Sequence, residues 1–72
     1  MLSENEIDAL LLEYIRDRDS AIGDRATKAG ATDALEERAI SSDAVLAAIM
    51  RLHSAGTITQ MADDELSWRP SE

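Results

Sequence analysis

The chain has 72 residues and no cysteine, and its fifteen acidic side chains outnumber seven basic ones to give a net charge of −8. This length allows one domain, and the lack of thiols excludes disulfides and thiolate zinc sites. Because nucleic-acid binding depends on Lys and Arg that neutralise phosphates, the charge disfavours that class of partner. A salt-loving or high-GC host would also produce this excess of acids, so two interpretations of the acidity stay open.

The N-terminal sequence is acidic where a secretory signal peptide is basic. The longest apolar runs, Ala9–Leu12 and Ala44–Met50, are far shorter than the roughly 18 residues needed to cross a bilayer. The apolar fraction of 44% is typical of a globular domain. We therefore expect a single folded domain over residues 1–72, located in the cytoplasm and without a membrane partner.

The first predicted element is a helix over residues 4–18. Ser3 and Glu6 have the spacing of a capping box, and Leu2 and Ile7 flank them at the positions of a hydrophobic staple. Apolar residues then recur at helical spacing along one face. These residues are Ile7, Leu10, Leu11, Tyr14 and Ile15.

The second predicted helix covers residues 32–39 and follows a connection over residues 19–31 that contains Gly23 and Gly30. A short helical turn over residues 24–28 is the alternative for part of this connection. Thr32 suits the N-cap of the helix, and Asp33 suits its first turn, where the helix dipole stabilises a carboxylate. The expected buried edge consists of Ala34, Leu35 and Ala39.

The third predicted helix covers residues 42–54. Ser41 or Ser42 provides its N-cap, and Gly56 is a typical residue just beyond a helix end. Its buried side is expected to carry Val45, Ile49 and Leu52.

Residues 57–69 predict a β-hairpin, because residues 57–61 are rich in β-formers and residues 65–69 alternate polar with apolar side chains. The expected turn covers residues 62–64. Ile58 and Met61 have opposite parity, which predicts a bulge or a longer loop, and Pro70 is expected to end the second strand. The fold class is therefore α+β, mostly helical, with three helices followed by a C-terminal β-hairpin.

The stretch Ala31–Ile58 has a short helix, a tight turn at Ile40-Ser41-Ser42 and a longer helix that closes with Gly56 and an aliphatic residue. Together with the hairpin, this order resembles the winged helix-turn-helix family over about Ala31–Trp68. The resemblance implies a third helix in the DNA major groove and a hairpin wing on the backbone. It implies a dimeric DNA-binding transcriptional regulator that would use Arg25, Lys28, Arg38 and Arg51.

The residues at the positions of the DNA-reading face do not suit that role. Bidentate base readout uses Arg, Lys, Asn or Gln, and only Arg51 qualifies among the outward positions of the third helix. Leu46, Ala47 and Met50 instead form an apolar strip, which favours a protein contact. The alternative is that Leu46 and Met50 are buried against residues 19–31. The wing is acidic at Asp63, Asp64 and Glu65, close to where phosphates would lie.

No pattern predicts catalysis. The single histidine, His53, is expected in the last turn of the third helix, where an imidazole complements the dipole. The acidic run at residues 63–65 lacks the spacing of an EF-hand loop, and no Gly-rich phosphate loop is present. Trp68 is expected to pack the hairpin onto the first helix, with an exposed anchor for a partner as the alternative. The sequence thus predicts a non-enzymatic protein without a cofactor, a metal or a catalytic residue.

These observations favour a small acidic regulator or inhibitor that binds a protein through the third helix and the hairpin. The predicted interface residues are Leu46, Ala47, Met50, Arg51 and Trp68. The partner is a different protein or a second copy in a homodimer. One version of this hypothesis is a nucleic-acid mimic that occupies the nucleic-acid-binding site of its target. The DNA-binding regulator is the alternative.

Overall fold

The computed structural model describes residues 3–20 and 25–71. Its helices and strands are α1 Glu4–Ser20, β1 Ala26–Thr27, α2 Lys28–Glu36, α3 Ser42–Ser54, β2 Ile58–Met61 and β3 Asp64–Pro70. The predicted class, mostly helical α+β with three helices before the hairpin, is confirmed. The hairpin is joined by one strand that was not predicted, β1, so the described residues form a three-stranded sheet in the order β1-β3-β2.

Helix α1 begins as its capping residues predict. The Glu6 amide donates to the Ser3 hydroxyl at 3.2 Å, which satisfies one of the N–H groups left free at a helix start. The helix continues to Ser20, two residues beyond the predicted end. Leu11 and Ile15 of the predicted stripe are fully buried. Leu2, the other half of the predicted staple, lies outside the described residues.

The predicted start of α2 is wrong. The N-cap is Thr27, whose hydroxyl accepts from the Gly30 amide at 3.0 Å. The Thr32 hydroxyl instead donates to the Lys28 carbonyl at 2.8 Å, so Asp33 lies beyond the first turn. Strand β1 explains the difference, because it pairs with β3 and holds Thr27 in the extended conformation that an N-cap needs. Gly30 occupies a position inside the helix where a Cβ would collide with the Tyr14 hydroxyl, which explains why this residue is a glycine.

The predicted end of α2 is also wrong, because the helix stops at Glu36. Ala39 has a positive φ of 62° and is exposed, so it does not belong to the buried edge. The Ile40 amide donates to the Leu35 carbonyl at 3.1 Å and the Ala39 amide to the Glu36 carbonyl at 2.9 Å. These are the two bonds of a Schellman motif, and they place Ile40 in the core beside Leu35.

The predicted bounds of α3 are confirmed. The Ala44 amide donates to the Ser41 hydroxyl at 3.2 Å, and Gly56 follows the helix with a φ of +77°, a conformation that glycine adopts without steric cost. The core of the protein joins one face of each helix to the sheet. It contains Leu11, Ile15, Ala26, Ala31, Leu35, Ile40, Val45, Ala48, Ile49, Leu52 and Ile58.

In the sheet, β3 lies between β1 and β2, and both neighbours run antiparallel to it. The expected irregularity is confirmed as a register shift between Gln60 and Met61. The turn is shorter than predicted, because Asp64 already belongs to β3, and the strand ends at Pro70 as expected. Within residues 3–20 and 25–71, none of the helices combines the length and apolar character needed to cross a bilayer.

Candidate functional site

The outer face of α3 carries the strip of Leu46, Ala47 and Met50, here called the apolar strip. Leu46 is 39% exposed and Met50 is 61% exposed, whereas Ala47 is half-buried. Val45 precedes Leu46 in the chain, and Ile49 precedes Met50. Both are buried because they lie on the side of the helix that faces the core. The alternative in which Leu46 and Met50 belong to the core is therefore wrong.

Arg51 follows Ala47 of the strip by one helical turn and its side chain is 35% exposed, but its guanidinium is bound to α1. Its Nη2 donates to Asp8 Oδ1 at 2.6 Å, and its Nε lies 3.2 Å from both carboxylate oxygens of Asp8. Glu4 Oε2 lies 3.7 Å from Nη1. The hydrogen bond to Asp8 raises the pKa of Arg51 above its ordinary value. The guanidinium thus joins α3 to α1, and the outer face of α3 keeps no side chain for bidentate base readout.

The wing, formed by β2, β3 and their turn, is tied to the strand before α2. Arg25 donates from both terminal nitrogens to the Asp63 carboxylate, at 3.0 and 2.8 Å, in the bidentate geometry that suits a planar guanidinium. The predicted acidic wing is therefore partly neutralised at Asp63. The side chains of Asp64 and Glu65 lie outside the described part of the chain.

The Arg25–Asp63 pair predicts a pH dependence. The hydrogen bond from Arg25 holds the pKa of Asp63 below its usual value of 3.8. A lowered folded pKa means that this carboxylate contributes stability above pH 3.8, and that the contribution is lost as the pH falls through the lower folded pKa. We expect Arg25→Gln to raise the pKa of Asp63 toward 3.8, as measured by an NMR pH titration of its carboxyl carbon. An unchanged pKa in this variant would contradict the pairing, and Lys28→Gln is the control that should leave it unchanged.

The four basic residues proposed for DNA contact have different surroundings. Arg51 binds carboxylates of α1, and Arg25 binds the hairpin turn. Arg38 borders a groove between α1 and α2, beside Glu13 and Asp17. Lys28 lies at the start of α2, next to β3 and the start of α3. Two of the four guanidinium and ammonium groups are thus already paired with acids.

Trp68 lies on the core side of the sheet, since it pairs with Ala26 and lies on the same face as Ile58. It is half-buried, and its ring meets the ring of His53 edge-on at a centroid distance of 5.0 Å. β3 contacts α1, as expected for this hairpin, and Trp68 adds a contact with the last turn of α3. Its Nε1 is buried without an acceptor among the described residues. Trp68 therefore serves mainly to hold the wing on the core.

A depression at the junction of α2, α3 and β3 was not predicted. It is lined by Lys28, Ala29, Thr32, Asp33, Ser42 and Leu66. Leu66 is 59% exposed, although its spacing of two from Trp68 in the strand predicts the same, inward face. The sequence carries no local signal for this site, because its lining comes from three elements that meet only in the folded chain. We call this depression the junction pocket.

Among the residues that the structure describes, no three His, Asp or Glu side chains lie close enough to hold a metal ion together. The geometry instead offers one exposed apolar helix face, an adjoining open pocket and a wing pinned by an ion pair. Comparisons of this chain with protein-family models, with curated proteins and with solved structures found no match.

Proposed function

We propose that this chain is a small, non-enzymatic, winged-helix-like module of the cytoplasm that regulates or inhibits a protein by binding it. The binding surface is the outer face of α3, carrying the apolar strip, together with the adjoining part of the wing. This is the face that the winged helix-turn-helix resemblance would assign to DNA. Here its chemistry suits a polypeptide better.

The observation that carries the proposal is that α3 exposes apolar side chains where a DNA-reading helix would expose polar ones. Its outer face exposes Leu46 and Met50, while Arg51 is bound to Asp8 at 2.6 Å. Exposed apolar side chains lose contact with water when a partner covers them, and this is favourable by about 25 cal/mol for each Å². An unbranched methionine also adapts to partners of different shape. A base edge in the major groove would instead need the polar donors that this face lacks.

Electrostatics supports the same proposal. The net charge of −8 repels a phosphate backbone at long range and attracts a basic surface. A target that itself binds nucleic acid presents such a basic surface. The chain would then occupy that surface as an acidic competitor, which is the nucleic-acid-mimic form of the proposal.

A duplex titration at low salt separates this proposal from a DNA-binding regulator. We expect no binding of double-stranded DNA at micromolar protein in a filter-binding or gel-shift assay. Few Lys and Arg side chains without an acidic partner are available to bind phosphates and release counterions. Micromolar or tighter binding that weakens steeply with added salt would overturn the proposal. If the chain is a DNA-binding regulator, Lys28→Glu combined with Arg38→Glu should weaken DNA binding. If it is the proposed protein-binding module, this variant should behave in the DNA assay as the parent protein does.

A further inference from the structure

We infer that the junction pocket receives one apolar side chain from a basic segment of the protein partner, so that Lys or Arg residues beside this anchor lie over Asp33 and Asp43. This inference rests on the proposed function and specifies the chemistry of the partner. The geometry, the charge and the poorer fit of a second copy support it in turn.

The pocket has the shape and lining for an apolar anchor. Its volume is about 430 Å³, and it opens widely to solvent, so it can seat a side chain that protrudes from a larger surface. Ala29 and Leu66 give it apolar walls. The Thr32 hydroxyl of the lining is already bonded to the Lys28 carbonyl. A few buried anchor side chains contribute most of the affinity of many interfaces.

The pocket is also continuous with the apolar strip. Ser42 forms part of the pocket lining, and Leu46 and Met50 follow it at intervals of four residues along α3. Residues at this spacing lie on the same face of a helix, one turn after another. A segment that inserts an anchor beside Ser42 and runs along α3 would therefore cover Leu46 and Met50 as well.

The charges around the pocket favour a basic segment. Asp33 lies in the lining, and Asp43 is exposed in the first turn of α3, next to Ser42. The single base of the lining is Lys28. Because the whole chain carries −8, the long-range field adds to the local attraction for Lys and Arg. Charged groups at the rim of an interface act mainly on association rate and on the choice of partner.

A second copy of the chain fits the pocket less well. Two copies would bring together two net charges of −8, and both would present acids at the rim. A basic partner would attract the acidic side chains at the rim, whereas the acidic side chains of a second copy would repel them.

Three synthetic peptides of equal length test the inference by fluorescence anisotropy against the intact protein. The first combines Leu with Lys, the second replaces each Lys by Glu, and the third replaces each Leu of the first by Ser. We expect only the Leu/Lys peptide to bind, with an affinity that falls as salt is added. Its NMR shift perturbations should centre on Ala29, Ser42 and Leu66. Equal binding of the Lys/Ser peptide, or perturbations elsewhere, would overturn the inference.

Matched charge variants separate a local site from general attraction. Asp33→Lys and Glu13→Lys change the net charge by the same amount, but only Asp33 lines the junction pocket. We expect Asp33→Lys to weaken the Leu/Lys peptide about tenfold and Glu13→Lys to leave it within about twofold. Leu66→Ser should weaken it by about tenfold or more, and Lys28→Glu should strengthen it. Equal losses in the Asp33 and Glu13 variants would contradict a site at the pocket.

Failure of this inference and failure of the proposed function give different results. If the Leu/Lys peptide does not bind but the intact protein still captures a partner through Leu46 and Met50, the pocket assignment is wrong and the function stands. If duplex DNA binds tightly, the proposed function itself is wrong. A dimer in sedimentation that Leu66→Ser dissociates would assign the pocket to a second copy and overturn the basic partner.

Discussion

Leu11→Ala is expected to remove most of the stability of the fold. Leu11 is completely buried in α1, within the one core that the described elements share. Truncation of a buried leucine to alanine costs about 2–5 kcal/mol through lost burial and the cavity that remains. A domain of this size without a disulfide has only about 3–5 kcal/mol of stability. The loss is therefore comparable with the whole stability of the fold.

Leu66→Ala is the matched control, because it is the same substitution at a leucine that is 59% exposed. Its effect on the free energy of unfolding should stay within about 0.5 kcal/mol. Urea denaturation followed by far-UV circular dichroism measures both variants. Equal losses at Leu11 and Leu66 would contradict the burial that the structure assigns to them.

Leu46→Glu combined with Met50→Glu is expected to abolish capture of the protein partner while the fold stays intact. Both side chains are exposed, so two carboxylates there remain hydrated in the free protein. In the complex they would be buried opposite apolar surface, which is strongly unfavourable for an ionised group. The measurement is affinity capture from the native cells with wild-type and variant chains side by side, followed by quantitative mass spectrometry. Thermal unfolding of both chains should give nearly equal melting temperatures.

Asn5→Glu combined with Ala9→Glu is the control for added negative charge. These exposed positions of α1 have the same spacing of four and lie outside the proposed surface. This variant should capture the partner as the wild type does. If the Leu46 and Met50 variant unfolds, those two residues support the core. If it still captures the same protein, the partner binds elsewhere.

The helices that begin and end on local signals could be predicted from the sequence. Ser41 caps α3 and Gly56 lies just beyond its end, as expected, since a cap depends on residues three or four positions away in the chain. The apolar stripe of α1 and the buried side of α3 were predicted for the same reason. Periodicity identifies which face of a helix avoids water, whatever that face packs against.

The bounds of α2 could not be predicted in this way. Thr32 was predicted as the N-cap, but Thr27 carries the same capping hydroxyl. The choice falls on Thr27 because β1 pairs with the central strand, where Thr27 lies opposite Ser67. That pairing joins residues far apart in the chain, so no local pattern contains it. The end of α2 depends likewise on Ala39 in a conformation usually adopted by glycine.

The sequence by itself determined the net charge, the order of the three helices and the hairpin, and the apolar faces of α1 and α3. Only the tertiary structure decided which charged groups are available to a ligand. Arg51 and Asp8 are 43 positions apart, and Arg25 and Asp63 are 38 apart. Whether such groups pair depends on how the helices and the wing pack, because an ion pair forms only when packing brings its two charges within a few ångströms.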